Sequence, residues 1–331
     1  MKVSVRLVQY LGSPRDVVDL AVLAEEAGLD EIWVPHDPFM SNAWTIQTAI
    51  AERTERVAVG SLGTNPYTTD PSEIATHLAT LDLLSGGRAA LGLGLHTTSM
   101  VEWLGLDASD VVERTRAAVA IVRALLRGET VTCKGPYAWG EECALRFEPL
   151  RADPPVLVAG FGPELLQLAG EIGDGAMPMA TPPESVAPLL AEVVSGARAA
   201  GRDPGDLELV ACAWLSISAD GRGTEDPLRP MIATFAPYLE EHALASTGVS
   251  RADLAPLREL VDGGRLEEAA AAVAAPLFDL ALTGTPERVA ERIATLADVG
   301  VTHVSLGGPL GPDPREAIRL LGERVLPALR A

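Results

Sequence analysis

Short apolar runs alternate with longer amphipathic stretches along most of this chain. VSVRLVQY (3–10) has the composition of a strand. The residues from Pro14 to Ala27 then place Val17, Val18, Leu20, Ala21, Leu23 and Ala24 at helical spacing before Gly28 stops the helix. The same pair of signals recurs. Strands are predicted at 31–36, 57–63, 89–95, 154–161, 175–180, 207–218 and 302–308, and helices at 42–53, 71–84, 109–127, 163–172, 183–200 and 313–330. Two stretches break the rhythm. Residues 129–149 (TVTCKG, PYAW, ALRFEP) suggest a hairpin excursion, and the alanine-rich residues 220–282 read as a mostly helical insertion before the last β/α unit.

Eight β/α units in 331 residues predict a single α/β domain over 1–331, a (β/α)8 TIM barrel with that insertion. An open doubly wound sheet is the rival. It usually has fewer strands, and QYLGSPRD after the first strand is not the GxGxxG fingerprint of that fold. The barrel has a consequence for function, because its active sites lie where strands run out at their C-terminal ends.

Composition narrows the partners. With 47% hydrophobic and 22% charged residues there is material for a core and no sign of extensive disorder. There is no uninterrupted run of 18 apolar residues, and MKVSVRLVQYLG lacks the layout of a signal peptide, so a soluble, cytoplasmic protein is expected. A formal charge of −20 argues against nucleic acid and anionic membranes as partners, and leaves any anionic ligand to local amides and helix ends. Cys133, Cys143 and Cys212 make an odd count without CxxC spacing, as expected of reduced thiols. His77, His242 and His303 form no HExxH motif and there is no GxSxG elbow, so no metal site is expected.

Three strand ends carry chemistry. AGFGPELL puts Gly160 and Gly162 before Pro163 at a helix start, either a phosphate-binding turn of backbone amides or a tight β/α packing turn. GSLGTNPY gathers small residues where the backbone could approach a flat ligand, although Asn65 before Pro66 suits a plain turn equally. LGLGLHTTS carries His96 and Thr97 just past an apolar strand. At the end of the second strand, EIWVPHDP sets His36 against Asp37, which alternation sends to opposite faces.

Taken together, TNPYTTDPSEIATHLATLDLLSGGRAALGLG, AGFGPELLQLAGEIGDGAM, LTGTPERVAERIATLADVGVTHV and GGPLGPDPREAIRLLGERV resemble the bacterial-luciferase-like superfamily. The resemblance is to its deazaflavin branch, typified by methylenetetrahydromethanopterin reductase, and it runs the length of the chain. It implies a (β/α)8 barrel, often a homodimer, binding coenzyme F420, or less often FMN, at the C-terminal end. It also implies a non-proline cis peptide in the bulge ending the third strand, at Leu62–Gly63 here, with Thr64 and Asn65 beside it. The phosphate contact it implies falls on Ala159, Gly160, Phe161, Gly162 and Pro163, in agreement with the independent reading of that turn.

The departures bear on the activity. Where dehydrogenases of the superfamily carry Asp-His after the second strand, this chain has His36-Asp37. The acids of the methylene-pterin reductases align with Arg6 and Thr97. The expected function is therefore an F420-dependent oxidoreductase delivering hydride to a C=N or activated C=C bond of a small-molecule or peptide-borne substrate. Asp37, His96 and Arg6 are the candidate catalytic groups, and His36 and Thr97 are placed at the cofactor. Arg6 is suited to an anionic substrate group or a carbonyl oxygen. The alternatives are a pterin reductase, an FMN-dependent monooxygenase of the same fold and a non-catalytic coenzyme-binding homologue.

Overall fold

The computed structural model describes residues 1–95, 101, 103–160, 162–178, 185–239 and 241–330. Eight parallel strands close on themselves: β1 (Lys2–Arg6), β2 (Glu31–Val34), β3 (Ala58–Thr64), β4 (Ala89–Gly94), β5 (Val156–Gly160), β6 (Gly175–Pro178), β7 (Glu208–Ile217) and β9 (His303–Leu310), which returns to β1. This is the (β/α)8 barrel the pattern predicts. A ninth strand, β8 (Ala281–Gly284), pairs only with the far end of β7, along Trp214–Ile217, on the edge that β6 occupies at Glu208–Leu209. Four residues inside an alanine-rich stretch give too weak a period to detect, so the sequence reading passed over β8.

Helices cover the ring: α1 (Pro14–Glu26), α2 (Ala43–Arg53), α3 (Pro71–Ser85), α4 (Val111–Leu126), α5 (Pro163–Ile172), α6 (Val186–Ala199), α7 (Pro286–Ala297) and α8 (Pro314–Leu320). Their starts are written into the sequence. Ser13 and Asp16 form a capping box, while Asn42, Asp70, Thr285 and Asp313 each accept a backbone N–H from the first turn. Proline follows the cap in α1, α3, α7 and α8, where the missing N–H costs nothing. Between β7 and β8 run the short helices Arg229–Phe235, Glu241–Leu244, Ala255–Asp262 and Leu266–Ala271. Residues 129–149 carry one antiparallel bridge, Val131 to Cys143, and no regular strand.

Strand alternation sorts the side chains into two layers. Val3, Val5, Ile32, Val34, Val59 and Val304 pack outward on the helices, while Trp33, Leu62, Leu157, Ala159, Met177, Val210 and Cys212 fill the interior. At the N-terminal end of the interior lies a charged plug. Lys2 Nζ donates to Glu31 Oε1 at 2.8 Å and to Glu208 Oε2 at 2.7 Å. The His303 ring sits between Glu208 Oε1 (2.5 Å) and Ser4 Oγ (2.6 Å). Glu31, Glu208 and His303 bring possible ligand atoms within 4.8 Å of one another, a grouping that spacing in the sequence could not show. The Lys2 ammonium already bridges the two carboxylates and fills the cation's role. Burial pushes the Glu208 carboxyl up, but His303 and Lys2 outweigh it and bring it down to about 2.

Candidate active site

The opposite end of the barrel is built differently. β3 ends in a bulge, where its register with β4 shifts between Ser61 and Thr64. Within the bulge the Leu62–Gly63 peptide is cis, at the position the resemblance implies. Gly63 has almost no clearance: a Cβ there would lie 3.3 Å from the Gly94 nitrogen and 3.5 Å from Ala159 Cβ. A Cβ on Gly94 would meet the Ala159 carbonyl oxygen at 2.0 Å. Gly63, Gly94 and Ala159, on three consecutive strands, therefore form a low floor of backbone rather than side chains.

The bulge is anchored from outside. Asn65 is fully buried, its Oδ1 accepting from Tyr67 N at 2.7 Å, while its Nδ2 has no partner. The Tyr67 hydroxyl donates to Asp110, and the Arg114 guanidinium lies 4.4 Å from the Tyr67 ring centroid. Tyr137, from the 129–149 excursion, donates to Pro66 O at 2.7 Å. Thr64 turns its hydroxyl to Ser61 Oγ at 2.7 Å, within the barrel wall.

Next to the floor, β5 passes into α5 through Gly160 and Gly162. Gly160 has φ 155°, and a Cβ there would strike Leu165 Cδ2 at 2.3 Å. Gly162, the N-cap of α5, has φ 87°, and no side chain caps the helix. The first-turn amides behind Pro163 are thus left to the backbone or a ligand, in the setting of a helix N-terminus that binds anions.

His36 and Asp37 lie just past the end of β2 at Val34. The His36 ring stacks on Trp44 (centroids 5.2 Å apart), which stacks on His77 of α3 (4.3 Å, 7° between planes). His77 Nε2 is 2.7 Å from Gln47 Oε1. The His36 side chain, expected among the cofactor contacts, packs through Trp44 of α2 toward His77 of α3. Burial lowers the pKa of both imidazoles, that of His77 to about 3 with help from His36. Asp37 has the reverse shift: burial raises its carboxyl to about 6.

Arg6, a candidate catalytic group, is buried rather than exposed. Instead of opening to the mouth it is 5% exposed, lying across Gly307, where a Cβ would sit 2.2 Å from Nη2. Its Nη1 donates to Ser305 O at 2.5 Å and its Nη2 to Ala213 O at 2.9 Å. Among the described residues no carboxylate forms an ion pair with it. Tyr10 completes the mouth, and the sequence reading missed it by extending the first strand through residue 10, whereas β1 ends at Arg6. His96, Thr97 and Phe161 lie outside the described residues.

A floor of small residues beside an uncapped helix start, with an acid and a buried cation nearby, is the setting in which the comparisons fall. Residues 2–303 match the family model described as luciferase-like monooxygenase. The chain belongs to this family. Among its relatives is a 5,10-methylenetetrahydromethanopterin reductase of Archaeoglobus fulgidus, 31% identical over 93% of this chain and 94% of that one. An F420-dependent glucose-6-phosphate dehydrogenase of Microbacterium testaceum is 28% identical over 96% and 94%. Of solved structures, the coenzyme F420 dependent tetrahydromethanopterin reductase from Methanopyrus kandleri superposes with a TM-score of 0.92 over 99% of both chains at 24% identity. An F420-dependent secondary alcohol dehydrogenase in complex with an F420-acetone adduct gives 0.83 at 24% identity, over 100% and 99%. At that identity the superpositions speak for the family barrel alone.

Proposed function

We propose that this luciferase-family protein is an F420-dependent oxidoreductase that reduces a C=N or activated C=C bond of a small or peptide-borne substrate. The observation that carries the reading is the continuity of the Gly63–Gly94–Ala159 floor with the Gly160–Pro163 turn. The floor suits a flat ring held close to backbone, and the uncapped start of α5 suits the phosphate of its side chain. The relatives named for F420 dependence support the same cofactor. Reduced coenzyme F420 bound there supplies the hydride.

This chain's own residues then position and polarise. Gly63, Gly94 and Ala159 are the residues that would hold the ring. Asp37, three residues past the end of β2, holds a proton up to about pH 6, above which it carries charge. Glycine at 160 and 162 lets the backbone present its amides. A homodimer in the cytoplasm completes the proposal, supported by the family resemblance and by three free cysteines.

Equilibrium dialysis of the purified protein against F420 tests the reading, and about one bound coenzyme per chain is expected. A Gly162→Val substitution at φ 87° is expected to weaken that binding at least tenfold, since a branched side chain is strained there. Protein that ignores F420, or that purifies yellow with FMN and consumes oxygen when the flavin is reduced, overturns the reading.

A further inference from the structure

Tyr10 sits in a single 3-10 turn, Gln9–Leu11, just beyond β1. Its ring lies over the end of β9, where a Cβ on Gly308 would be 2.9 Å from the phenol oxygen and 3.2 Å from Cε2. The residue is 63% exposed, yet its hydroxyl end is turned inward and donates to Met231 Sδ at 3.6 Å. A thioether is a weak acceptor, so little holds that O–H against a better one. Protein around the hydroxyl raises its pKa to about 12, with the Arg6 charge opposing the rise and Asp37 adding to it. The phenol is therefore protonated at neutral pH and lies in the fields of both the Arg6 guanidinium and the Asp37 carboxyl.

We propose that Tyr10, backed by Arg6, is an oxyanion site, and that the bond reduced is the C=C of an α,β-unsaturated carbonyl compound. The proposal rests on the hydride-transfer reading above and chooses between its two acceptor classes. A cationic C=N acceptor develops no negative charge as it takes up hydride and so gives a phenol no oxyanion to protonate. An unsaturated carbonyl needs what this corner offers. As its β-carbon accepts a hydride from the reduced deazaflavin, the C=C electrons shift and those of the C=O bond move onto oxygen. The Tyr10 O–H breaks and gives that oxygen its proton, forming an enol that rearranges to the saturated carbonyl in water. The phenolate oxygen, stabilised by Arg6, then takes a proton back from solvent. The substrate gains one hydride and one proton, and the deazaflavin is oxidised.

The probes are 4-nitrophenolate, a flat oxyanion like the enolate, and N-methylpyridinium, a flat cation like an iminium. Each is titrated calorimetrically into the protein loaded with oxidised F420. Wild type is expected to bind 4-nitrophenolate and to disregard the cation, against the bias of its −20 net charge. Tyr10→Phe, which keeps the ring and loses the hydroxyl, is expected to weaken 4-nitrophenolate at least about tenfold, as loss of one hydrogen bond to a charge requires. F420 binding should be unchanged in that variant. Equal binding by the variant, no binding of 4-nitrophenolate by wild type, or a preference for N-methylpyridinium each overturns the oxyanion site. Failure of wild type to bind F420 overturns the hydride-transfer reading instead, so the two failures are distinguishable.

Discussion

At the N-terminal end of the barrel, Lys2 reaches two carboxylates and His303 meets one of them, whereas at the C-terminal end the Arg6 guanidinium donates to backbone carbonyls and lies beside the Cys212 thiol, with no carboxylate paired to it among the described residues. Both ends bury charge in the same interior. Charges matched to one another close the first end. Unmatched charge is affordable at the second only if something else, a ligand or a reacting group, makes use of it. The general rule that conservation of structure sits at the bottom of such barrels and chemistry at the top thus has an electrostatic form in this chain.

That contrast can be broken most forcefully at Glu208. Replacing it by alanine leaves Lys2 with Glu31 alone and takes the partner from His303 Nδ1, and is expected to cost roughly 3 kcal/mol in denaturant unfolding without altering F420 affinity. The pH dependence should follow. Because the folded-state pKa of Glu208 is depressed to about 2, its contribution is complete above the ordinary carboxyl value and lost as pH falls toward 2. The Glu208→Ala protein should lack that loss. If it unfolds with the wild-type acid profile, the plug is not the stabilising element.

At the other end the sign reverses. Burial raises the pKa of Asp37 to about 6, so between about pH 4 and 6 the folded protein retains a proton that the unfolded chain has released. Stability therefore falls as pH rises through that window. Asp37→Asn should remove the fall and gain roughly 2 kcal/mol at pH 8, as seen in urea midpoints, while impairing turnover. A variant no more stable than wild type at pH 8 would contradict the buried acid. The smallest effect is expected at Arg6→Met. Trading an unpaired buried cation for a methionine should change stability by less than about 1 kcal/mol while reducing 4-nitrophenolate binding. A loss of several kcal/mol would make Arg6 a structural residue like Lys2.

Much of this was legible from the chain. The eight strands of the ring, the caps at Ser13, Asn42 and Asp70, and the glycine turn before Pro163 all leave local signatures in period or residue type. The losses have equally local causes. β8 was too short to show a period, and Tyr10 was absorbed into an overlong first strand whose apolar run continues past Arg6. Nothing in the motif LVQY marks where β1 stops. Its end depends on pairing with β2 and β9, hundreds of residues apart in the second case.

The sequence by itself determined the barrel, the end of it that holds the chemistry, and the glycines that let backbone form a floor and a turn, because period, caps and missing side chains act over a few residues. Only the tertiary structure decided which charges meet. Lys2, Glu31, Glu208 and His303 come from four strands, and Arg6 of β1 finds Ala213 of β7 and Ser305 of β9, two of the same four. Barrel closure brings such groups within hydrogen-bonding distance, and that closure depends on the whole ring at once.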